Sequence, residues 1–250
     1  MNNFTKVVKG TLFGALLIAS TVTGGMAEEG AKFKVRIENI SKGEILKLSN
    51  GGSAPFALSP GMWVVHTGND PLFTADEKDR GKGLEAQAED GNPEMLVKSL
   101  EGQKGVMSTG IFNTPVGAKD PGPIVPGGAY EFTFTAVPGA RLSFALMFGQ
   151  SNDLFYAPED KGINLFDGKK PISGDITSEV TLWDAGTEVN QEPGSGPDQA
   201  PRQSSPNTGA NENGVVRQIK DVKDGFTYPK TEDVMRVTIT PEGSWKSSKR

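Results

Sequence analysis

Two short acidic motifs contain the residues of this sequence best suited to chemistry. "SND" (Ser151–Asp153) follows one apolar run, and "WDAGTE" (Trp183–Glu188) closes a later one. Their side-chain oxygens suit a calcium ion, which takes about six to eight oxygen ligands. With Glu89 and Asp90 of "AED" (Ala88–Asp90), Asp153 and Asp184 could also supply a carboxylate pair for glycoside hydrolysis. A third interpretation is structural, because Asp and Asn stabilise turns by hydrogen bonding to their own backbone.

The calcium interpretation uses both motifs at once. Loops at the strand ends of a β-sandwich bring acidic groups together from distant parts of a chain. Asn152 and Asp153 would come from the first motif, and Asp184 and Glu188 from the second. Gly186 would then permit the sharp turn that directs oxygens toward an ion.

Several other kinds of chemistry are excluded or find little support. The chain has no cysteine, which excludes thiol catalysis, thiolate zinc sites and iron–sulfur clusters. His66 is the only histidine, and its apolar context favours a structural or surface role. No nucleophile elbow, phosphate-binding loop or zinc-protease motif is present. Trp63, Trp183 and Tyr156 could stack on a glycan, although burial is the commoner role of such residues.

Alternation of apolar and polar residues predicts strands around these motifs. It is clear in Lys32–Ile40, Tyr130–Val137 and Met235–Glu242, and Arg141–Gly149 is apolar enough for a central strand. The turn sequence Val137–Ala140 predicts that the strands on its two sides form a hairpin. These segments predict an all-β fold, an antiparallel β-sandwich.

A sequence pattern typical of helices occurs in one connection between strands, within Gly83–Gly102. Asn92 and Pro93 are typical of a helix start and Gly102 of a helix stop, so a short helix is expected between them. Gly83–Ala88 predicts a second short helix. The Gly- and Pro-rich residues 190–214 are expected to form a flexible loop inserted between late strands. Residues 28–250 are therefore expected to fold as one domain.

The N-terminus has the pattern of a cleaved secretory signal. Lys6 and Lys9 precede the apolar segment Thr11–Val22, and small residues in Gly25–Ala27 predict cleavage after Ala27. Residues 1–27 are thus interpreted as a signal peptide and the mature chain as secreted or periplasmic. No other apolar run approaches the length of a transmembrane segment. The formal net charge of −5 argues against a nucleic-acid partner.

Several segments together resemble the spondin N-terminal domain family. "LSFALMFGQSNDLFYAPED" (Leu142–Asp160) is similar to the central signature of that family, and "WDAGTE" to its second signature. "KFKVRIENIS" (Lys32–Ser41) resembles the opening strand, and "FTYPKTEDVMRVTITPE" (Phe226–Glu242) the closing one. "AEDGN" (Ala88–Asn92) has the form common in bacterial members. The matches occur in the family order over nearly all of the mature chain.

The resemblance implies a C2-like β-sandwich and a secreted or periplasmic module that binds or adheres without catalysing a reaction. It implies a structural calcium ion with Asp153 and Asp184 as ligands, then Asn152 and Glu188; Glu89 and Asp90 follow from the bacterial form of the motif. The implied partner is an extracellular protein or glycan. The alternatives are a carboxylate-based periplasmic glycan hydrolase and a structural matrix or biofilm component. The chain departs from animal members by its lack of cysteines and by Leu154, where they have Trp.

Overall fold

The computed structural model describes residues 30–159 and 161–243. The segment interpreted as a signal peptide, residues 1–27, lies outside the described residues. The strands are Ala31–Asn39 (β1), Leu46–Lys47 (β2), Ser53–Ala54 (β3), Leu58–His66 (β4), Val106–Phe112 (β5), Ala129–Ala136 (β6), Arg141–Phe148 (β7), Leu154–Pro158 (β8), Ile163–Asn164 (β9), Phe166–Asp167 (β10), Lys170–Pro171 (β11), Gly174–Asp175 (β12), Val180–Asp184 (β13), Arg217–Gln218 (β14) and Met235–Glu242 (β15). The helices are Leu84–Asp90 (α1), Glu94–Ser99 (α2) and Thr231–Val234 (α3).

Two antiparallel sheets form a β-sandwich, which confirms the predicted fold class. The first sheet has the strand order β12-β15-β1-β6, and the second has the order β14-β13-β8-β7-β4-β5, with β9 beside β7. Two further pairs, β2-β3 and β10-β11, stand apart from these sheets. The predicted strands at both ends of the chain meet in the first sheet, where β1 lies between β6 and β15.

The sequence pattern of β1 explains why the sandwich closes. Phe33, Val35 and Ile37 are fully buried, while the residues between them remain partly accessible. Successive side chains of a strand point to opposite faces, so one face of β1 packs into the core between the sheets. The other face carries charged groups such as Arg36, which pairs with Glu131 on β6 at 2.9 Å.

A second apolar cluster covers the outer face of the larger sheet. Trp183 on β13 and Phe155 on β8 pack there with Phe73. Leu84 of α1 and Leu96 of α2 belong to the same cluster. The two helices are therefore a third layer over this sheet, placed in the connection between β4 and β5 where the sequence predicted short helices.

Two details differ from the prediction. The hairpin predicted across Val137–Ala140 is wrong, because β6 pairs with β1 in the first sheet and β7 pairs with β4 and β8 in the second. The turn crosses from one sheet to the other instead. The structure also has a one-turn helix, α3, directly before β15.

None of the helices in the described ranges has both the length and the apolar character that crossing a membrane requires.

The hydroxyl group of Tyr156 allows a stability prediction for the core. This group is buried and has no hydrogen-bond partner among the described residues. A buried hydroxyl without a partner costs about 1–3 kcal/mol, so Tyr156→Phe is expected to raise the free energy of unfolding by about 1 kcal/mol. The matched control is Tyr130→Phe, since the Tyr130 hydroxyl donates to the carbonyl of Gly122. That variant is expected to lose about 1 kcal/mol in urea unfolding. Equal losses in both variants would contradict the assignment of Tyr156.

Candidate functional site

The two acidic motifs meet because β8 and β13 are antiparallel neighbours. Asp184, at the end of β13, lies opposite Leu154 at the start of β8. The N–H of Ala185 donates to the carbonyl of Asp153 at 3.2 Å and extends this pairing by one residue. Asp153 and Asp184 are therefore brought together at one end of the sheet, and the side chains of both are fully buried.

The carboxylate of Asp153 is held at one oxygen only. Its Oδ2 accepts the backbone N–H groups of Thr187 at 2.8 Å and Glu188 at 3.1 Å, and the Thr187 hydroxyl at 3.3 Å. Its Oδ1 is buried and has no hydrogen-bond partner among the described residues. Buried polar atoms are nearly always paired, so this oxygen needs an explanation.

Asp184 stabilises its own turn, as the structural interpretation expected. Its Oδ1 accepts the N–H of Gly186 at 2.7 Å, and its Oδ2 accepts the side-chain amide of Asn190 at 2.8 Å. Gly186 has a φ of 69°, which favours glycine. The turn role and a ligand role are compatible, since each carboxylate oxygen has more than one lone pair.

A third carboxylate, Glu212, belongs to the same cluster. Residues 210–214 run beside residues 186–189, with hydrogen bonds from Glu212 N–H to the Thr187 carbonyl at 2.9 Å and from Gly214 N–H to the Gly186 carbonyl at 2.7 Å. One oxygen from each of Asp153, Asp184 and Glu212 lies within 4.8 Å of the other two. Glu212 Oε2 is buried and has no partner among the described residues.

Sequence reasoning missed Glu212 because it lies in the polar segment "NENG", which has no apolar periodicity. Sequence reasoning also missed Arg217 on β14, a single basic residue whose partners the local pattern does not indicate. Its guanidinium group donates to Asp184 at 3.4 Å and also pairs with Glu212. In the part of the chain that the structure describes, Arg217 is the one cation bonded to the three-carboxylate cluster. If all three carboxylates are ionised, the cluster therefore carries a net negative charge.

The electrostatics of the cluster follow from this imbalance. Burial is the main reason why the pKa of Asp153 lies well above its usual range, and the neighbouring charge of Asp184 raises it further. The two backbone N–H donors oppose the shift. Burial likewise raises the pKa of Asp184, although the positive charge of Arg217 opposes it. Both acids thus resist ionisation while only Arg217 balances them.

Asn152 and Glu188, the next predicted ligands, form a neighbouring pair rather than part of the three-carboxylate cluster. The Asn152 amide donates to Glu188 Oε2 at 3.2 Å, and its oxygen accepts the N–H of Gln191 at 3.1 Å. Glu188 Oε1 accepts the N–H of Gly209 at 2.8 Å. Burial raises the pKa of Glu188.

The last predicted ligands, Glu89 and Asp90, end helix α1 next to this pair. Asp90 Oδ1 accepts the side-chain amide of Gln203 at 2.7 Å. Glu89 is buried, and neither of its carboxylate oxygens has a hydrogen-bond partner with good geometry among the described residues. Burial raises the pKa of Glu89 to about 8, with the nearby Thr187 hydroxyl opposing and the charge of Glu188 adding to the shift.

The segment predicted to be a flexible loop, residues 190–214, packs against this acidic region. It contains no helix or strand. Gln199 is buried within it and donates to the carbonyl of Glu192 at 2.9 Å. Arg202 donates to Gln150 Oε1 at 2.9 Å. The segment therefore forms one wall of the acidic region.

His66 does not form a catalytic triad. Its Nε2 lies 3.0 Å from the hydroxyl of Ser143, and that hydroxyl donates to Asp70. A triad requires the carboxylate to hold the histidine and the histidine to hold the serine, and here the serine stands between the other two. All three residues are buried, which agrees with a structural role.

The aromatic residues considered for glycan stacking also lie inward. Trp183 and Tyr156 are buried in the two apolar clusters. Trp63 is partly buried and stacks on Phe132 with ring centroids 5.7 Å apart. Their packing accounts for these residues without a bound sugar.

The described side chains of the acidic region therefore offer carboxylate and other oxygen atoms as metal ligands. Several of these oxygens are buried and have no hydrogen-bond partner among the described residues. Hard cations such as calcium prefer a ligand set of this kind.

The chain matches no protein-family model, and it matches no curated protein.

Proposed function

We propose that this protein is a secreted or periplasmic, non-catalytic binding or adhesion module in which calcium occupies the cluster of Asp153, Asp184 and Glu212. The observation that supports the ion most directly is the pair of buried oxygens, Asp153 Oδ1 and Glu212 Oε2, which have no hydrogen-bond partner among the described residues. Within the described ranges, Arg217 is the cation bonded to their cluster. A buried unpaired carboxylate is costly, and a divalent cation would satisfy both atoms.

The residues present fit calcium in type and number. Three carboxylates supply up to six side-chain oxygens, and backbone carbonyls of the adjoining turns are available to complete an irregular shell of the kind that calcium accepts. No nitrogen or sulfur ligand from histidine or cysteine belongs to the cluster. Arg217 bonds to Asp184 and Glu212 and so balances part of the charge of the cluster.

The burial of the acids supports a structural ion over the alternative, a glycan hydrolase. A hydrolase needs a carboxylate pair that faces a cleft, whereas the side chains of Asp153 and Asp184 are fully buried. Cavities of about 560 and 510 Å³ lie elsewhere on the described surface and are lined by other residues. Glu89 and Asp90 line a smaller cavity of about 240 Å³, but the carboxylate oxygens of Glu89 are themselves buried.

The resemblance to spondin N-terminal domains supports the remaining parts of the proposal. It motivates export from the cytoplasm, the C2-like character of the sandwich and an extracellular protein or glycan as the partner. The segments that resemble the opening and closing strands of the family contain β1 and β15, and these two strands pair in one sheet.

Calcium is expected to stabilise the mature chain, residues 28–250. At a concentration of about 100 times its dissociation constant it adds roughly 2.7 kcal/mol to the free energy of unfolding. For a domain of this size that corresponds to a rise in Tm of about 5–10 °C. Differential scanning calorimetry with calcium and with a chelator measures the shift.

Asp153→Asn and Asp184→Asn are both expected to remove the roughly 2.7 kcal/mol that an ion in this cluster contributes. The matched control is Glu179→Gln, which changes an exposed acid next to the opposite end of β13 and should keep the full shift. An unchanged Tm of the unmodified protein on adding calcium would refute the metal proposal.

A further inference from the structure

A second group of carboxylates lies near Thr187, whose hydroxyl and backbone N–H also bond to Asp153 of the cluster just described. Glu89 on α1 and Glu188 after β13 are the buried members. Residues 203–209 bond to both elements, Gln203 to Asp90 at 2.7 Å and Gly209 to Glu188 at 2.8 Å, which places Glu188 beside the end of α1. Glu85 and Asp90 add further negative charge around Glu89. The hydroxyl of Thr187 lies between the two groups, 3.3 Å from Asp153 Oδ2.

Glu89 is the unexplained residue of this second group. It is only 2% exposed, and both carboxylate oxygens are buried without a hydrogen-bond partner among the described residues. The three-carboxylate cluster has Arg217, whereas the largest influences on Glu89 are burial, the Thr187 hydroxyl and three other carboxylates. Burying a carboxylate with no countercharge, and with the Thr187 hydroxyl as its neighbouring donor, is strongly unfavourable. A positive ion at this position would remove the imbalance.

Glu188 and the segment that bonds to it provide further oxygen ligands. Glu188 accepts one hydrogen bond at each carboxylate oxygen, from Gly209 N–H at 2.8 Å and from the Asn152 amide at 3.2 Å. Each of these oxygens can take a second partner. The hydroxyl of Thr208, next to Gly209, is buried without a hydrogen-bond partner among the described residues. All of these candidate ligands are oxygens, the donor type that calcium selects.

We infer that Glu89 and Glu188 hold a second divalent cation, of the calcium type, separate from the ion proposed for Asp153, Asp184 and Glu212. This ion connects three parts of the fold: helix α1 through Glu89, the end of β13 through Glu188, and residues 190–214 through the bond between Gly209 and Glu188. It fastens the long polar segment to the body of the domain. The inference does not require the first site to bind an ion.

Calcium stoichiometry tests the inference directly. Isothermal titration calorimetry of the mature chain with calcium chloride is expected to show two ions per chain. Glu89→Gln and Asp184→Asn should each retain one ion, and the double variant should bind none. The glutamine is isosteric and leaves no buried charge, so this variant is expected to fold; a near-ultraviolet circular dichroism spectrum verifies the fold.

Limited proteolysis supplies a second measurement. Arg202 is the only lysine or arginine in residues 190–214, so trypsin can cut this segment only after it. Calcium is expected to slow this cleavage at least tenfold in the unmodified chain and in Asp184→Asn, but not in Glu89→Gln.

The outcomes separate the two proposals. One ion in the unmodified chain that is lost in Asp184→Asn and kept in Glu89→Gln would overturn the second site and leave the proposed function intact. One ion lost in either variant would mean a single shared ion and would also overturn it. One ion lost only in Glu89→Gln would support the second site and refute the first.

Discussion

Replacing Gly186 with alanine is expected to lower the free energy of unfolding by about 3 kcal/mol. The residue has a φ of 69°, a conformation that costs a residue with a Cβ about 1–2 kcal/mol. An added Cβ would also lie 2.6 Å from the backbone nitrogen of Val215 and 2.8 Å from the carbonyl carbon of Gly214. These are backbone atoms, so the clash can be relieved only by separating the two chain segments, at a further cost of about 1–3 kcal/mol.

The same substitution is expected to reduce the stabilisation by calcium. Separation of the segments breaks the bond from Gly214 to Gly186 and moves Glu212 away from Asp184. Gly168→Ala is the matched control, since its φ is 59° but nothing lies within 4 Å of an added Cβ. It should cost about 1 kcal/mol and leave the response to calcium unchanged. Urea unfolding with calcium and with chelator measures both effects, and equal losses in the two variants would disprove the close approach.

The parts of the fold that were predictable are those that local pattern determines. Alternation in β1, β6 and β15 identified strands because one face of each is buried against the core. The two short helices were predictable from stop and start residues such as Pro93 and Gly102. The proximity of Asp153 and Asp184 was also predictable from the sequence. Each lies at a strand end, and loops at the strand ends of a sandwich are brought together.

Other features depend on tertiary contacts that local pattern does not determine. A turn such as Val137–Ala140 has the same chemistry whether it joins neighbours in one sheet or crosses between two, and here it crosses. Arg217 reaches the cluster because β14 places it opposite Asp184 on β13. Glu212 reaches it because residues 210–214 pair with residues 186–189. That pairing rests on backbone hydrogen bonds within polar sequence, where no hydrophobic period sets the register.

The stability of the protein is expected to fall by about 3 kcal/mol through His66 alone as the pH is lowered from 6.5 to 4. His66 is 1% exposed at the end of β4. Because the Ser143 hydroxyl donates to Asp70, the histidine donates from Nε2 to Ser143, and the buried Nδ1 has no hydrogen-bond partner in the described part of the chain. Burial, followed by the positive charge of Arg141, lowers the pKa of His66 to about 4.

The direction follows from proton linkage. Below pH 6.5 the unfolded chain binds a proton at this histidine that the folded protein does not bind, so the free energy of unfolding falls by about 1.4 kcal/mol per pH unit until the pH reaches the folded pKa. Buried acids with raised pKa values, such as Asp153, act in the opposite direction over part of this range. A comparison with His66→Gln removes their contribution, since both proteins carry the same acids.

Urea unfolding of both proteins between pH 4 and pH 8, in the presence of chelator, measures the effect. The stability advantage of the unmodified protein over His66→Gln is expected to shrink by about 3 kcal/mol across the interval. Ser143→Ala removes the hydrogen-bond partner and leaves the burial and Arg141 in place, so it should lower stability while keeping the pH slope of the unmodified protein. Parallel curves for the unmodified protein and His66→Gln would show that the histidine ionises equally in the folded and unfolded chains, which contradicts its burial without a partner at Nδ1.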